Sequence, residues 1–310
     1  GMFDGAISFN QPLDNWDVSN VSNMSNMFTG AVFNQTINNW NVSNVTDMSN
    51  MFRNTSNFNQ LLDNWDVSSV TNMSGMFSSA ESFNRPLNDW DVSNVTNMSE
   101  LFGGLTTTIF NQSLDNWDVS SVTNMDGMFN SAESFNRPLS NWDVSNVTNM
   151  RTMFNRASSF DQDISSWNTE NVTDMDFMFF NATIFNQDIT DWCVEQIPTQ
   201  PNGFAFDSAL QASFFPDWGA TCTLGLAENS LDNFKVYPNP SEGQLNLSWS
   251  SVNFSDEMNI QVYNLSGKKV FDQSYDQKPS ELNVSQLSSG VYLLKVNSGD
   301  QSAVRRIVKK

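Results

Sequence analysis

The stretch WDVSNVTNM, Trp90 to Met98, decides how this chain is read, because close copies of it begin at Trp16, Trp40, Trp65, Trp117, Trp142 and Trp167. With Trp192 included, successive tryptophans are separated by 24, 25, 25, 27, 25, 25 and 25 residues. A fixed period of that size marks an array of stacked units. Worked outward from the tryptophan, the unit is F-N-Q-x-L-x-x-W-D-V-S-x-V-T-N-M-x-x-M-F-x-x-A-x-x, as in Phe58 to Ser82 and Phe135 to Ser159. Only the stretch after Phe102, GGLTTTI, lengthens the unit, and a solenoid can loop such an insertion out on one face. Met2, Phe3 and Ala6 match Met27, Phe28 and Ala31, so the array is expected to open inside an N-terminally truncated repeat.

Within one copy, Trp16 and Val18 flank Asp17, the alternation of a short strand with its apolar residues on one face. Ser19 and Asn20 are good helix N-caps, and Val21, Met24, Met27, Phe28 and Ala31 follow at helical spacing. The expected fold is therefore α/β, a solenoid of strand-helix coils of about 25 residues with a parallel sheet. No single copy can bury its apolar face alone. Each coil must template the next, so that Trp, Val, Met and Phe run in ladders about 4.8 Å apart.

The repeat resembles the BspA-like leucine-rich surface-protein repeats, also known as the mycoplasma-lipoprotein-type repeat, over residues 1–192. The resemblance implies a leucine-rich-repeat-like solenoid outside the cell and, for some relatives, adhesion to neighbouring surfaces. Residues 193–225 break the pattern after Trp192 and read as a C-terminal cap, which an open stack end requires. Cys193 and Cys222 are the only cysteines. They are either buried thiols or, if the protein is exported, a disulfide that closes the cap.

From residue 226 to 310 the pattern changes to period two, with apolar-polar alternation between turn signals at Phe234, Leu245, Met258, Leu282, Gly290 and Ala303. That is expected to be a small all-β sandwich. Tyr237, Pro238, Asn239, Pro240 and Gly243, then Gly267, then Gly290 and Tyr292, then Lys309 and Lys310, resemble the type A C-terminal sorting domain of type IX secretion substrates. The resemblance implies the type IX secretion machinery as a partner and a secreted or outer-surface location.

The excess charge lies on the repeats: up to Gly225 there are 25 acids and 5 Arg, a net of −20, whereas residues 226–310 carry 9 acids and 9 bases and balance. So acidic a surface argues against nucleic acid or an anionic membrane as partner. No stretch has the length of a membrane-spanning helix. The chain has no histidine and no GxSxG, P-loop or GxGxxG signature, and its acids recur at equivalent sites, whereas a catalytic carboxylate pair needs unequal environments. It is not expected to be an enzyme.

The residue after each tryptophan forms the candidate binding ladder: Asp17, Asn41, Asp66, Asp91, Asp118, Asp143 and Asn168. Stacked like charges repel. Either each carboxylate is hydrogen-bonded to backbone N–H groups in a local turn, or the row holds Ca²⁺ through oxygen ligands. The row from Ser22 through Thr46, Thr71, Thr96, Thr123, Thr148 and Thr173 is expected to serve helix starts. Adhesion to an extracellular protein or glycan through a repetitive acidic face is the function these features suggest. A calcium-dependent carbohydrate or ice binder and a structural coat protein are the alternatives.

Overall fold

The computed structural model describes residues 1–221, 235–238, 241–248, 258–264, 268–298 and 301–310, and the chain divides into two compact units, Gly1–Cys222 and Thr223–Lys310. Most of the first unit is a stack of coils built almost wholly from tight turns. In the coil around Trp65, backbone bonds close the turns Leu62 to Trp65, Val67 to Val70, Met73 to Met76, Phe77 to Ala80 and Ala80 to Phe83.

This overturns the strand-helix coil and its parallel sheet. Among the described residues there is no α-helix, only a 3-10 turn at Ala212–Phe214, and the strands proper are antiparallel and lie in the second unit. Parallel pairing survives as one-residue bridges that link Asn23, Asp47, Asn72, Asn97, Asn124, Asn149 and Asp174. The reason lies in the segment read as a helix. Asn26 and Gly30 have φ of 56° and 64°, and the equivalent Asn50 and Asn54 repeat this at 55° each. A left-handed residue in each turn ends any right-handed helix before it starts.

The backbone N–H groups then divide their work. Those of Met27 and Ala31 bond within their own coil, to Met24 and Phe28. Those of Met24, Asn26, Phe28 and Gly30 bond to Asp47, Ser49, Met51 and Arg53 of the next coil at 2.7–2.9 Å. The segment between Trp16 and Val18 is likewise no strand. It joins two turns, Leu13 to Trp16 and Val18 to Val21.

Two columns of phenylalanine fill the interior. Phe52, Phe77 and Phe102 stack from coil to coil at 5.6 and 5.9 Å, and each also lies flat on its own coil's second ring, as Phe77 does on Phe83 at 4.0 Å. Tryptophan forms a third column with a polar duty that hydrophobicity alone does not disclose. The indole N–H of Trp40, Trp65, Trp90, Trp117, Trp142, Trp167 and Trp192 donates to the carbonyl of Leu13, Ile37, Leu62, Leu87, Leu114, Leu139 and Ile164 one coil earlier, at 2.9–3.2 Å. Each of these carbonyls already accepts the backbone N–H of the tryptophan in its own coil, so the indole N–H fills its second acceptor position and finds a partner for itself in the interior. The asparagine of the F-N pair links adjacent coils through amides: Asn59 N–H donates to Asn34 Oδ1 and Asn84 N–H to Asn59 Oδ1.

The threonine row also changes role. With no helix to start, Thr71, Thr96, Thr123, Thr148 and Thr173 each donate the hydroxyl to the threonine carbonyl one coil earlier, at 3.0–3.2 Å. One side-chain contact spans two coils: Arg53 pairs with Glu100 at 3.0 Å, beside Gly75, where a side chain would collide with Asn50.

The stack ends where aromatic rings turn edge-on. Phe204 meets Phe179 at 5.4 Å and 89°, with Phe215 and Trp218 also perpendicular to it, so the flat column is capped. Backbone bonds from Phe177, Phe179 and Asn181 to Asn202, Phe204 and Phe206 bind the cap to the last coil. Cys193 is disulfide-bonded. Cys222 lies outside the described residues.

Among the described residues the second unit holds seven strands: β1 (Lys235–Tyr237), β2 (Gln244–Ser248), β3 (Met258–Asn264), β4 (Lys269–Tyr275), β5 (Glu281–Asn283), β6 (Gly290–Ser298) and β7 (Gln301–Lys309). They form antiparallel sheets ordered β1-β2-β5 and β4-β3-β6-β7. Leu245, Leu247 and Leu282 of the first sheet share one core with Ile260, Val262, Leu294, Val296 and Ile307 of the second, following the alternation of each strand.

Candidate functional site

The candidate ladder sits at the corner that follows each tryptophan. Asp17, Asn41, Asp66, Asp91, Asp118 and Asp143 are exposed and Asn168 is half-buried. Each closes a turn on itself. Asp66 Oδ1 accepts the Ser68 N–H at 3.1 Å and the Ser68 hydroxyl at 2.6 Å, and Asp91 does the same with Ser93. Asp17 repeats it with Ser19 and Asn41 with Ser43. Asp118, Asp143 and Asn168 accept the N–H groups of Ser120, Ser145 and Glu170. The recurring D-x-S is therefore a corner device, in which a short acceptor side chain replaces a backbone turn bond.

The hydroxyl of Ser68, followed by its N–H, holds the Asp66 carboxyl below the ordinary value of 3.8, and Ser120 acts on Asp118 in the same order. The folded value is lowered, so these turns add stability above the ordinary carboxylate range and lose it as pH falls through the lowered value. Ser68→Ala removes the larger contribution and leaves the N–H. The Asp66 carboxyl is expected to titrate at a higher pH in that variant, followed by the NMR shift of its carboxyl carbon. An unchanged titration would refute the assignment of the hydroxyl.

Two acid columns flank the tryptophans and differ in pattern. Two residues before each of the first five tryptophans the chain alternates Asp14, Asn38, Asp63, Asn88 and Asp115, followed by Ser140, Ser165 and Thr190, and Asn38 Nδ2 donates to Asp63 Oδ1 at 2.7 Å. After the tryptophan, four consecutive coils carry Asp66, Asp91, Asp118 and Asp143, each with one oxygen committed to its own turn. A shallow depression of about 340 Å³ lies between two of these coils, lined by Asn88, Asp89, Trp90, Asp91, Val92, Asn116 and Asp118. Among the described residues no three acids or cysteines converge as a metal ion would require.

In the second unit, Gly243 has φ of 126°, and a side chain there would strike the Ser285 backbone at 2.9 Å. Its carbonyl accepts the Val284 N–H. Tyr292 is buried and donates its hydroxyl to the Ser288 carbonyl at 2.9 Å. Gly290 pairs with Lys309 at the start of β6, and Lys310 N–H donates to the carbonyl of Ser241, which ties the last residues to the turn that contains Gly243. Tyr237 ends β1 and Pro238 follows it, both exposed. Asn239, Pro240 and Gly267 lie outside the described residues.

Residues 1–109 and 104–218 each match the family described as Mycoplasma protein of unknown function, DUF285, and together they span more than half of the chain. The chain belongs to this family. Residues 235–310 match the secretion system C-terminal sorting domain. None of the curated proteins compared matches the chain. The sorting domain gives the DUF285 protein its destination: it is secreted to the cell surface or extracellular space by type IX secretion, and its last domain engages that machinery. No helix among the described residues is long and apolar enough to cross a membrane.

Proposed function

We propose that the repeat unit is a non-catalytic adhesive surface, of the BspA-like kind, that binds an extracellular protein or glycan many times weakly along its acidic row. The observation that carries this reading is the unbroken run Asp66, Asp91, Asp118 and Asp143. Neighbouring columns dilute their acids with asparagine, and the corner itself works with asparagine, as Asn41 does. Charge in four consecutive coils is therefore more than the turn requires, and stacked like charges cost stability. A surface that repeats one weak contact gains avidity over any single contact.

The test replaces Asp66, Asp91 and Asp118 by asparagine, which keeps each corner bond and removes the charge. The parent and the triple variant are presented to arrays of matrix proteins and glycans, first with calcium and then with chelator. The parent is expected to bind in both conditions, and the variant to lose most of that binding while it melts no lower than the parent. Loss of parental binding in chelator would favour a calcium-dependent lectin. Absence of any foreign ligand, with self-association, would favour a structural coat.

A further inference from the structure

We propose that Asn202-Gly203, at the join of the last coil and the cap, is a deamidation site whose conversion irreversibly uncaps the stack. It is the only asparagine in the chain followed directly by glycine. The fold favours that pair. Gly203 has φ of 57°, and a Cβ there would stand 2.5 Å from the Phe177 ring, so any other residue would have to displace that ring. Asn202 is fixed by what it touches: its backbone N–H donates to Asp176 Oδ1 at 2.7 Å and its Nδ2 to Asp176 Oδ2 at 2.9 Å. The residue is exposed, so water reaches it.

The chemistry needs water alone. The Gly203 amide nitrogen, having given its proton to solvent, attacks Cγ of Asn202. A C–N bond forms, the Cγ–Nδ2 bond breaks, and the amide nitrogen leaves as ammonia. Water then opens the five-membered imide at either carbonyl to give aspartate or isoaspartate. A glycine imposes least on this ring closure, because no side chain shields its nitrogen.

Both products act on the cap. An aspartate sets a carboxylate against the oxygen that had received an N–H, which replaces a hydrogen bond by like-charge repulsion. An isoaspartate also reroutes the main chain through Cβ and Cγ, one carbon longer, and turns the Asn202 carbonyl, which accepts the Phe177 N–H at 2.8 Å, into a free carboxylate off the chain. The bonds from Phe179 to Phe204 and from Asn181 to Phe206 then fall out of step. The Asn202 amide must first leave Asp176, so local opening of the cap gates the reaction, and conversion prevents reclosure.

The test ages the full chain in mildly alkaline buffer, with and without reductant, and follows every asparagine by peptide mass mapping and isoaspartyl methyltransferase labelling. Residue 202 is expected to convert several-fold faster than any other asparagine, and faster still once the Cys193 disulfide is reduced. Asn202→Asp is expected to lower the melting temperature of the unaged protein by several degrees. Asn202→Gln, whose longer side chain disfavours the ring, is expected to resist ageing. Conversion of another asparagine first, or an Asn202→Asp variant that melts with the parent, would overturn the proposal.

Discussion

Trp117→Ala is expected to destabilise the repeat unit by about 3–5 kcal/mol, the usual cost of emptying a large aromatic site in a close-packed core. Trp117 is 3% exposed, lies parallel to Trp142 at 6.5 Å and donates to the Leu87 carbonyl. Truncation therefore opens a cavity and removes one of the two hydrogen bonds to the Leu87 carbonyl, which keeps that of the Trp90 N–H. Trp117→Phe separates the two effects. It keeps most of the apolar volume and loses the N–H, so about 0.5–1.5 kcal/mol should remain as the net contribution of that hydrogen bond. Trp16 is the internal control: at 39% exposure, the same change to alanine should cost far less. Urea unfolding followed by circular dichroism measures all three. Because each coil is held mainly by its neighbours, the central defect should also split the transition or lower its slope. A Trp117→Phe variant as stable as the parent would show that the indole bond contributes nothing.

Loss of the Cys193 disulfide is the second large effect. Cys193 follows Trp192 at the place where earlier coils carry Asp or Asn, and its carbonyl accepts the Thr169 hydroxyl at 2.7 Å. On the chain-entropy model, a loop of the length between the two cysteines is stabilised by about 3.5 kcal/mol. Reduction, or Cys193→Ser, should remove that amount from the cap first. The Phe179 and Asn181 amides, bonded to Phe204 and Phe206, should then exchange hydrogen faster than the equivalent amides of central coils. Equal exchange in the oxidised and reduced protein would show that the aromatic contacts of Phe204 hold the cap unaided.

The period and the columns of like residues were legible because they depend on which residues recur, and recurrence is visible in one dimension. The local conformation was misread because apolar residues at Met24, Met27, Phe28 and Ala31 fit a helix and a pair of tight turns equally well. The discriminating signal was present in the polar positions: Asn26 and Gly30, then Asn50 and Asn54, then Gly75, are the residues that tolerate left-handed backbone. Bulkier residues obscured it, since Glu100, Thr152 and Phe177 adopt the same conformation without announcing it. The strands of the second unit were easier, because period two has no competing reading. The ladder residues stand in one row, and the corner bond they make was among the two alternatives the sequence left open. What the sequence could not give is the donation of the tryptophan N–H, from Trp40 onward, to the coil before it, a contact that requires knowing which carbonyl lies within reach of the indole.

Apart from Arg53 and Glu100, the bonds between coils join adjacent coils, and the backbone bonds recur at matching positions, so most coils carry little mark of their rank in the stack beyond local bonds such as that of the inserted Leu105 to Ser79. A recombination event that duplicates or excises one whole unit therefore brings together two surfaces that already fit. For a secreted protein this makes the length of the stack an inheritable variable: lineages can add or remove one unit at a time, and with it change the number of acidic corners presented, without passing through an unfolded intermediate design.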